Sequence, residues 1–360
     1  MHVCKSQSYV LEHFLRLNTI HPSNWISALQ VLTNSPHLSL KTLPSHADSE
    51  FQARVSFLAS GGLNVCGTYL RNASEVTGAN AGSTAIIMPV FSTATFEVMD
   101  GRYVCGPWTP FVLDPHEDFH AALSEGSHLL VIQMAHLRQS RYRHLCHRDK
   151  TGLRNLLSSF LYEAPFFRSH EHALARLDHL ATRLYGLVGG QAPPVPEPEN
   201  RKMIGEDRRL CKVIELLNDN LDSDIEIESI ASRSGLSLRN LHYLMRQHIG
   251  QSPYQYIRGR RLIKAREAIV YDYPDNIRIA EQAGKWGFQH AGRFSGYYLK
   301  HFGEYPNETL RELDRLRQFS SQVMASKNNA TAPTHYWVSS SVKPGTQHSS
   351  EKQPASGEEC

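Results

Sequence analysis

The chain has 360 residues, room for two domains and their cores. Its 41% apolar and 20% charged content is that of an ordinary globular protein, which excludes fibrous and low-complexity classes. The longest apolar runs, "TAIIMPVF" (84–91) and "HLLVIQMA" (128–135), fall far short of the roughly 20 residues that span a bilayer. "MHVCKSQSYV" lacks the apolar core of a signal peptide, so a cytoplasmic protein with no membrane partner is expected.

The six cysteines (4, 66, 105, 146, 211, 360) are scattered, with no Cys-x-x-Cys pair. That spacing argues against a disulfide framework and a four-cysteine zinc site, and predicts reduced, structural thiols. The net charge of +3 hides an asymmetry. Residues 1–200 carry 15 Lys/Arg and 16 Asp/Glu, a net of −1; residues 233–300 carry 12 and 4, a net of +8. A positive field confined to one stretch is where a polyanion would bind.

Residues 40–135 alternate short apolar runs with Gly, Pro, Asn and Asp, which predicts strands and turns, including a hairpin through Asp100-Gly101. Within this region "HEDFH" (116–120) matches the H-E-x-x-H zinc pattern, which needs a helix and a third ligand. The strand-rich setting makes these histidines ordinary turn residues, with a metallopeptidase, or a metal site using His116, His120 and His128, as the competing readings. The basic stretch "HLRQSRYRHLCHRDK" (136–150) is expected to be a solvated helix between domains. From 151 the period becomes helical: Leu174, Leu177, Leu180/Ala181, Leu184 and Leu187/Val188 form one stripe. It packs on its own β domain or also on a second subunit.

"QAPPVPEPEN" (191–200) marks an extended linker over 191–205. Beyond it, "HIGQSPYQYIR" (248–258) and "HFGEYPNETLR" (301–311) repeat one pattern. Gly250 and Gly303 suit left-handed helix caps, and Pro253 and Pro306 the first turn of a following helix. Upstream of the first copy, Ala231, Gly235 and Leu241 have the spacing of a helix-turn-helix: close crossing, a left-handed turn, an apolar anchor. Upstream of the second stand Ala283, Gly287 and, one residue later than in the first, Phe294 with Tyr298. A helix from 253 to 271 then joins the two units. From about Ser320 the sequence is rich in Ser, Asn, Thr, Pro and Gly and reads as a disordered tail over 320–360.

"SGLSLRNLHYLMRQHIGQSPYQYIRGRRLIKARE" and "GKWGFQHAGRFSGYYLKHFGEYPNETLR" resemble the two halves of an AraC/XylS-family DNA-binding domain, over about residues 206–313. The ending "GFQHAGRF…FGEYPNETLR" is most similar to the XylS-like branch. Gln282, where the family usually has an apolar residue, and Gly284, inside a helix, depart from the pattern and put the packing of the second unit in doubt. The resemblance implies a two-domain α+β protein. Residues 1–190 would form a cupin-like β-barrel with a helical hairpin for effector sensing and dimerisation. Residues 206–319 would form an all-α tandem helix-turn-helix.

On the first recognition helix the outward residues are Arg239, His242, Tyr243 and Arg246, with Ser237 as N-cap; the resemblance makes Arg239, His242 and Tyr243 base-facing. On the second, Ala291, Gly292 and Gly296 leave Arg293 nearly alone, which predicts close approach with less base reading. Gln289 and His290 are placed for phosphate at the helix start, and Lys300 is a further DNA candidate. Arg258, Arg260 and Arg261 on the connecting helix read mainly as solvated charge. Arg54, Arg102 and Trp108 are candidates for an effector, with an aromatic carboxylate suggested by the branch resemblance alone.

The expected function is a sequence-specific transcriptional regulator, not an enzyme, and an activator rather than a repressor. Its expected partners are promoter DNA, RNA polymerase and a small molecule; a homodimer is left open, and no metal or cofactor is expected. Alternatives are an effector-independent regulator whose barrel only dimerises, and a metal-dependent enzyme using "HEDFH". A DNA-repair protein accepting alkyl groups on cysteine would need clustered cysteines, which this chain lacks.

Overall fold

The computed structural model describes residues 10–43, 50–60, 62–80, 82–134, 137, 147–189, 207–271 and 278–326. The expected linker (191–205) and most of the basic stretch at 136–150 lie outside them. The N-terminal half contains eleven described strands: β1 (Leu15–Thr19), β2 (Ser39–Thr42), β3 (Ala53–Ser60), β4 (Leu63–Leu70), β5 (Ser74–Ala79), β6 (Thr84–Pro89), β7 (Ala94–Val98), β8 (Gly101–Cys105), β9 (Phe111–Leu113), β10 (Asp118–Leu123) and β11 (Ser127–Met134). They form two antiparallel sheets, ordered β1-β3-β4-β11-β6-β9 and β2-β5-β10-β7-β8. This is the predicted cupin-like architecture, with the β7–β8 hairpin turning at Met99 and Asp100.

Between β1 and β2 lies α1 (Pro22–Leu32), which the sequence reading did not anticipate. Its Trp25 is fully buried and donates from Nε1 to Thr68 Oγ1 at 3.0 Å. The helical hairpin is α2 (His147–Glu163) and α3 (His170–Gly189). Leu177, Leu180, Ala181, Leu184 and Val188 all enter one core cluster with barrel residues such as Leu63, Ile86 and Ile132. The apolar stripe of α3 therefore packs on its own β domain.

The C-terminal half holds α4 (Arg208–Asp219), α5 (Ile227–Arg233), α6 (Leu238–Leu244), α7 (Pro253–Val270), α8 (Ile279–Lys285), α9 (Ala291–Phe302) and α10 (Pro306–Ser326). The capping box predicts a firm start to α7: Ser252 Oγ accepts from Gln255 N, and Gln255 Oε1 accepts from Ser252 N. The terminal helix corrects the expected tail, because α10 runs on through 320–326. Its stripe of Leu313 and Leu316 is buried in the same cluster as Trp25 and Leu29, so α10 is anchored on α1 of the barrel. No described helix is long and apolar enough to cross a membrane.

"HEDFH" occupies a turn and a strand rather than a helix: His116 has φ 61°, and β10 begins at Asp118. The helical zinc geometry is therefore absent at this segment, and among the described residues no three potential ligands cluster. Cys66 and Cys105 are buried and unpaired, and burial pushes the Cys66 thiol up to about 12, as suits structural thiols.

Candidate nucleic-acid interface

In the first unit Ala231 is buried at the crossing of α5 and α6, Gly235 takes φ 67° in the turn, and Leu241 is fully buried. The recognition helix is longer than α6 alone. It continues as one π turn, Met245–Ile249, which puts Met245 and Ile249 into the core and leaves Leu244 only half-buried. Leu244 thus shares the inward role with Met245. Ser237 caps the helix, its hydroxyl accepting from Asn240 N at 3.2 Å. Arg239, Tyr243 and Arg246 are exposed along one side, and His242 is half-buried with its ring 6.4 Å from that of Tyr254.

The second unit repeats the plan. Ala283 is fully buried, Gly287 has φ 79°, and Phe294 and Tyr298 fill the core. Gly284 faces open space, so it takes nothing from the packing and costs only helix propensity. Ala291, Gly292, Arg293, Gly296 and Lys300 are exposed, with Arg293 and Tyr297 the long exposed side chains in the first two turns. Gln289 and His290 are exposed just before α9, and no side chain caps its first turn, leaving those N–H groups for an anion.

The structure corrects the reading of the connecting helix. Arg260 is buried and ion-paired with Glu12 of the barrel. Arg261 donates to the carbonyls of Leu221 (2.9 Å) and Ser223 (2.6 Å), and Arg258 stacks 4.3 Å over Tyr297. Arg260 and Arg261 thus build the protein, while Arg258 stays exposed as expected, stacked on a surface tyrosine. Arg266, which the sequence reading did not single out, is only 1% exposed. It donates to Leu15 O (2.8 Å) and Tyr298 Oη (3.2 Å), and its Nη2 lies 2.8 Å from Glu304.

That cluster seals the barrel against the helices. Glu304 also meets Arg16 of β1 at 2.6 Å. Burial opposes its ionisation, but Arg266 and Arg16 outweigh this and hold the carboxyl down at about 2. Next to it, the rings of His13 and His301 stack at 5.2 Å. Burial, then Arg266 and Arg260, hold His301 down at about 3, so it is neutral there. His13 is held well below its ordinary value by burial, then by His301 and Arg260.

Arg54, Arg102 and Trp108 are not brought together. Arg54 is 2.6 Å from Glu267 of α7. Arg102 is exposed, 3.5 Å from Glu97. Trp108 stacks on Tyr162 of α2, 5.6 Å between ring centroids. None of them lines the cavity between the two sheets. That cavity, of about 70 Å³, is walled mainly by apolar groups, among them Trp25, Leu29, Ile87, Phe96 and Leu129. Its polar lining comes from Ser, Thr, Asn and Gln side chains, with no Arg, Lys or His. No short motif could have revealed it, because its walls come from α1 and strands of both sheets.

Residues 230–312 match the profile of a helix-turn-helix domain. The chain is 39% identical over 102 residues to the XylDLEGF operon transcriptional activator of Pseudomonas putida, covering 28% of this chain and 32% of that protein. It is 29% identical over 166 residues to the HTH-type transcriptional activator RhaS of Escherichia fergusonii, covering 41% and 58%. The chain thus spans about a third of the length of the first relative and over half of the second. Among solved structures it is similar to the AraC-like transcriptional activator CuxR (14% identity, 69% of this chain and 94% of that one, TM-score 0.36), too loosely to carry an argument. With two helix-turn-helix units, the connecting helix and both Gly-x-x-Pro closures in place, the C-terminal half of this chain carries a tandem helix-turn-helix domain similar to those of AraC/XylS-type transcriptional activators.

Proposed function

We propose that the protein is a transcriptional activator that reads two successive major-groove segments of a promoter with α6 and α9, under control of a small molecule held in the barrel. The observation that carries the DNA half is the pair of recognition helices with exposed Arg239, Tyr243, Arg246, Arg293 and Lys300, tied to one helix of 18 residues. At 1.5 Å per residue α7 is about 27 Å long, near the roughly 34 Å at which the groove returns. Arg239, with His242 and Tyr243, reads bases. Gln289 and His290 hold phosphate at the start of α9, and Arg293 is the main reader of the second half-site. The RNA polymerase contact of an activator belongs to this same reading.

The effector we infer is neutral and largely apolar. A carboxylate entering this cavity would meet no cation, and an unpaired buried charge is costly. The cavity's 70 Å³ is about half of the roughly 150 Å³ that receives benzene in an engineered apolar cavity. A ligand of that size enters only if a wall moves, and α1 is the wall that also packs on α10. Effector binding thereby pushes on the DNA-binding half. The test uses the full chain. A duplex selected from a randomised pool should bind at least a hundredfold better than its scrambled version, and benzyl alcohol, unlike benzoate, should raise the melting temperature. Equal binding to both duplexes overturns the DNA reading; a shift with benzoate alone overturns the effector class.

A further inference from the structure

The two repeated sentences of the sequence meet the same five residues of the N-terminal domain. The connection from α2 to α3, Phe166–His170, lies across the ends of both recognition helices. At the first copy, Phe166 O accepts from Gln251 Nε2 at 3.2 Å, and the Phe166 ring stacks with Tyr256, centroids 6.4 Å apart. Arg168 Nη1 approaches Gly250 O at 3.5 Å. At the second copy, the His170 ring sits on Gly303.

Both cap glycines are favoured by their backbone, and Gly303 is also required by its neighbour. Gly250 has φ 74° and Gly303 φ 78°, which few side-chain-bearing residues adopt. A Cβ on Gly303 would also collide with the His170 ring, and one on Gly250 would lie 3.1 Å from Arg168 Nη1. The helix caps are thus the docking points of the effector domain as well as the ends of the DNA-reading helices. The DNA-facing side chains of α6 and α9 stay exposed while this contact is made.

We propose that Phe166–His170 is a two-point clamp. It grips the ends of both recognition helices and fixes the angle between them, so that the protein demands one spacing of its two half-sites. Arg168 and His170 are positioning residues, acting on DNA only through the helices they hold. The proposal rests on the two-half-site reading above. Inserting one base pair turns one half-site by about 34° and moves it by about 3.4 Å relative to the other, which a held angle resists and a free one follows.

The test measures the full chain on three duplexes: the one selected by the wild type, the same with one base pair inserted between the halves, and the first half-site alone. Arg168→Ala, at an exposed position, and His170→Ala each release one grip. Each is expected to weaken the selected duplex about tenfold, leave the half-site unchanged and shrink the preference for native spacing. The double variant should do no more than either single, since one released grip already frees the angle. An unchanged spacing ratio, an equal loss on all three duplexes, or multiplicative losses in the double variant overturns the clamp alone. A wild type indifferent to spacing overturns the two-half-site reading and the clamp with it.

Discussion

Acid should undo this protein through the histidines sealed between its two halves. His301 is the sharpest case, buried against Arg266, Arg260 and Arg258, with His13 stacked on it and Glu304 nearby. In the unfolded chain its ring takes a proton near 6.5, but in the folded protein only near 3. Between these values the unfolded state holds more protons, so stability falls as pH falls. For one such group the loss from about pH 7.5 to about pH 5.5 is about 1.4 kcal/mol, from RT ln(1 + 10^(6.5 − pH)) in the unfolded state and almost nothing in the folded one. Any folded value well below 5.5 gives the same figure, so it does not depend on the depth of the shift. Urea denaturation of wild type and His301→Gln at both pH values isolates the contribution. The variant should be less acid-sensitive by about 1.4 kcal/mol, whatever its stability at neutral pH. Equal pH dependence of the two proteins would refute the claim that His301 is sealed and neutral.

Three further outcomes are expected. Arg266→Met leaves the Leu15 carbonyl without its donor and Glu304 with Arg16 as its remaining cation; the loss should be about 3 kcal/mol in the same urea titration, and under 1 kcal/mol would show the cluster to be dispensable. Arg239→Ala should cost about 1–3 kcal/mol on the selected duplex and far less on random DNA by electrophoretic mobility shift, and equal losses would remove it from base reading. Ser252→Ala removes the N-cap acceptor of α7 and should cost about 1 kcal/mol by thermal unfolding, with no change in the half-site preference. A changed preference would mean that the cap touches DNA.

The DNA-binding half was legible because its constraints are local. Ala231 to Gly235 to Leu241, and Gly250 to Pro253, are steric requirements within a few residues, and a linear reading detects them. The interface with the barrel was illegible for the opposite reason. Arg260 and Arg266 look like surface charge on a basic helix, and only partners at Glu12 and Leu15, about 250 positions away, bury them. The effector candidates are separated for a similar reason: Arg54 pairs with Glu267 across the interface, while the cavity between the sheets is walled by ordinary Leu, Ile and Phe. The end of α10 was missed through composition. Ser and Gln near 320 suggested disorder, although Leu310, Leu313 and Leu316 already stood at helical spacing.

On the proposed function, how the barrel would act on DNA reading follows from what its docking leaves uncovered. It meets α7 through the Arg260 and Arg266 clusters, α10 through α1, and the caps of both recognition helices through Phe166–His170. Tyr243, Arg246, Arg293 and Lys300 remain exposed throughout. A lid that blocked DNA would have to cover those side chains, and this one does not. The lever available to the proposed effector would therefore be the geometry of the two helices. Because α1 both walls the cavity and rests on α10, moving it shifts the support of the second unit relative to the first. Control of this kind alters which spacing is bound well, and it leaves the affinity of an isolated half-site untouched.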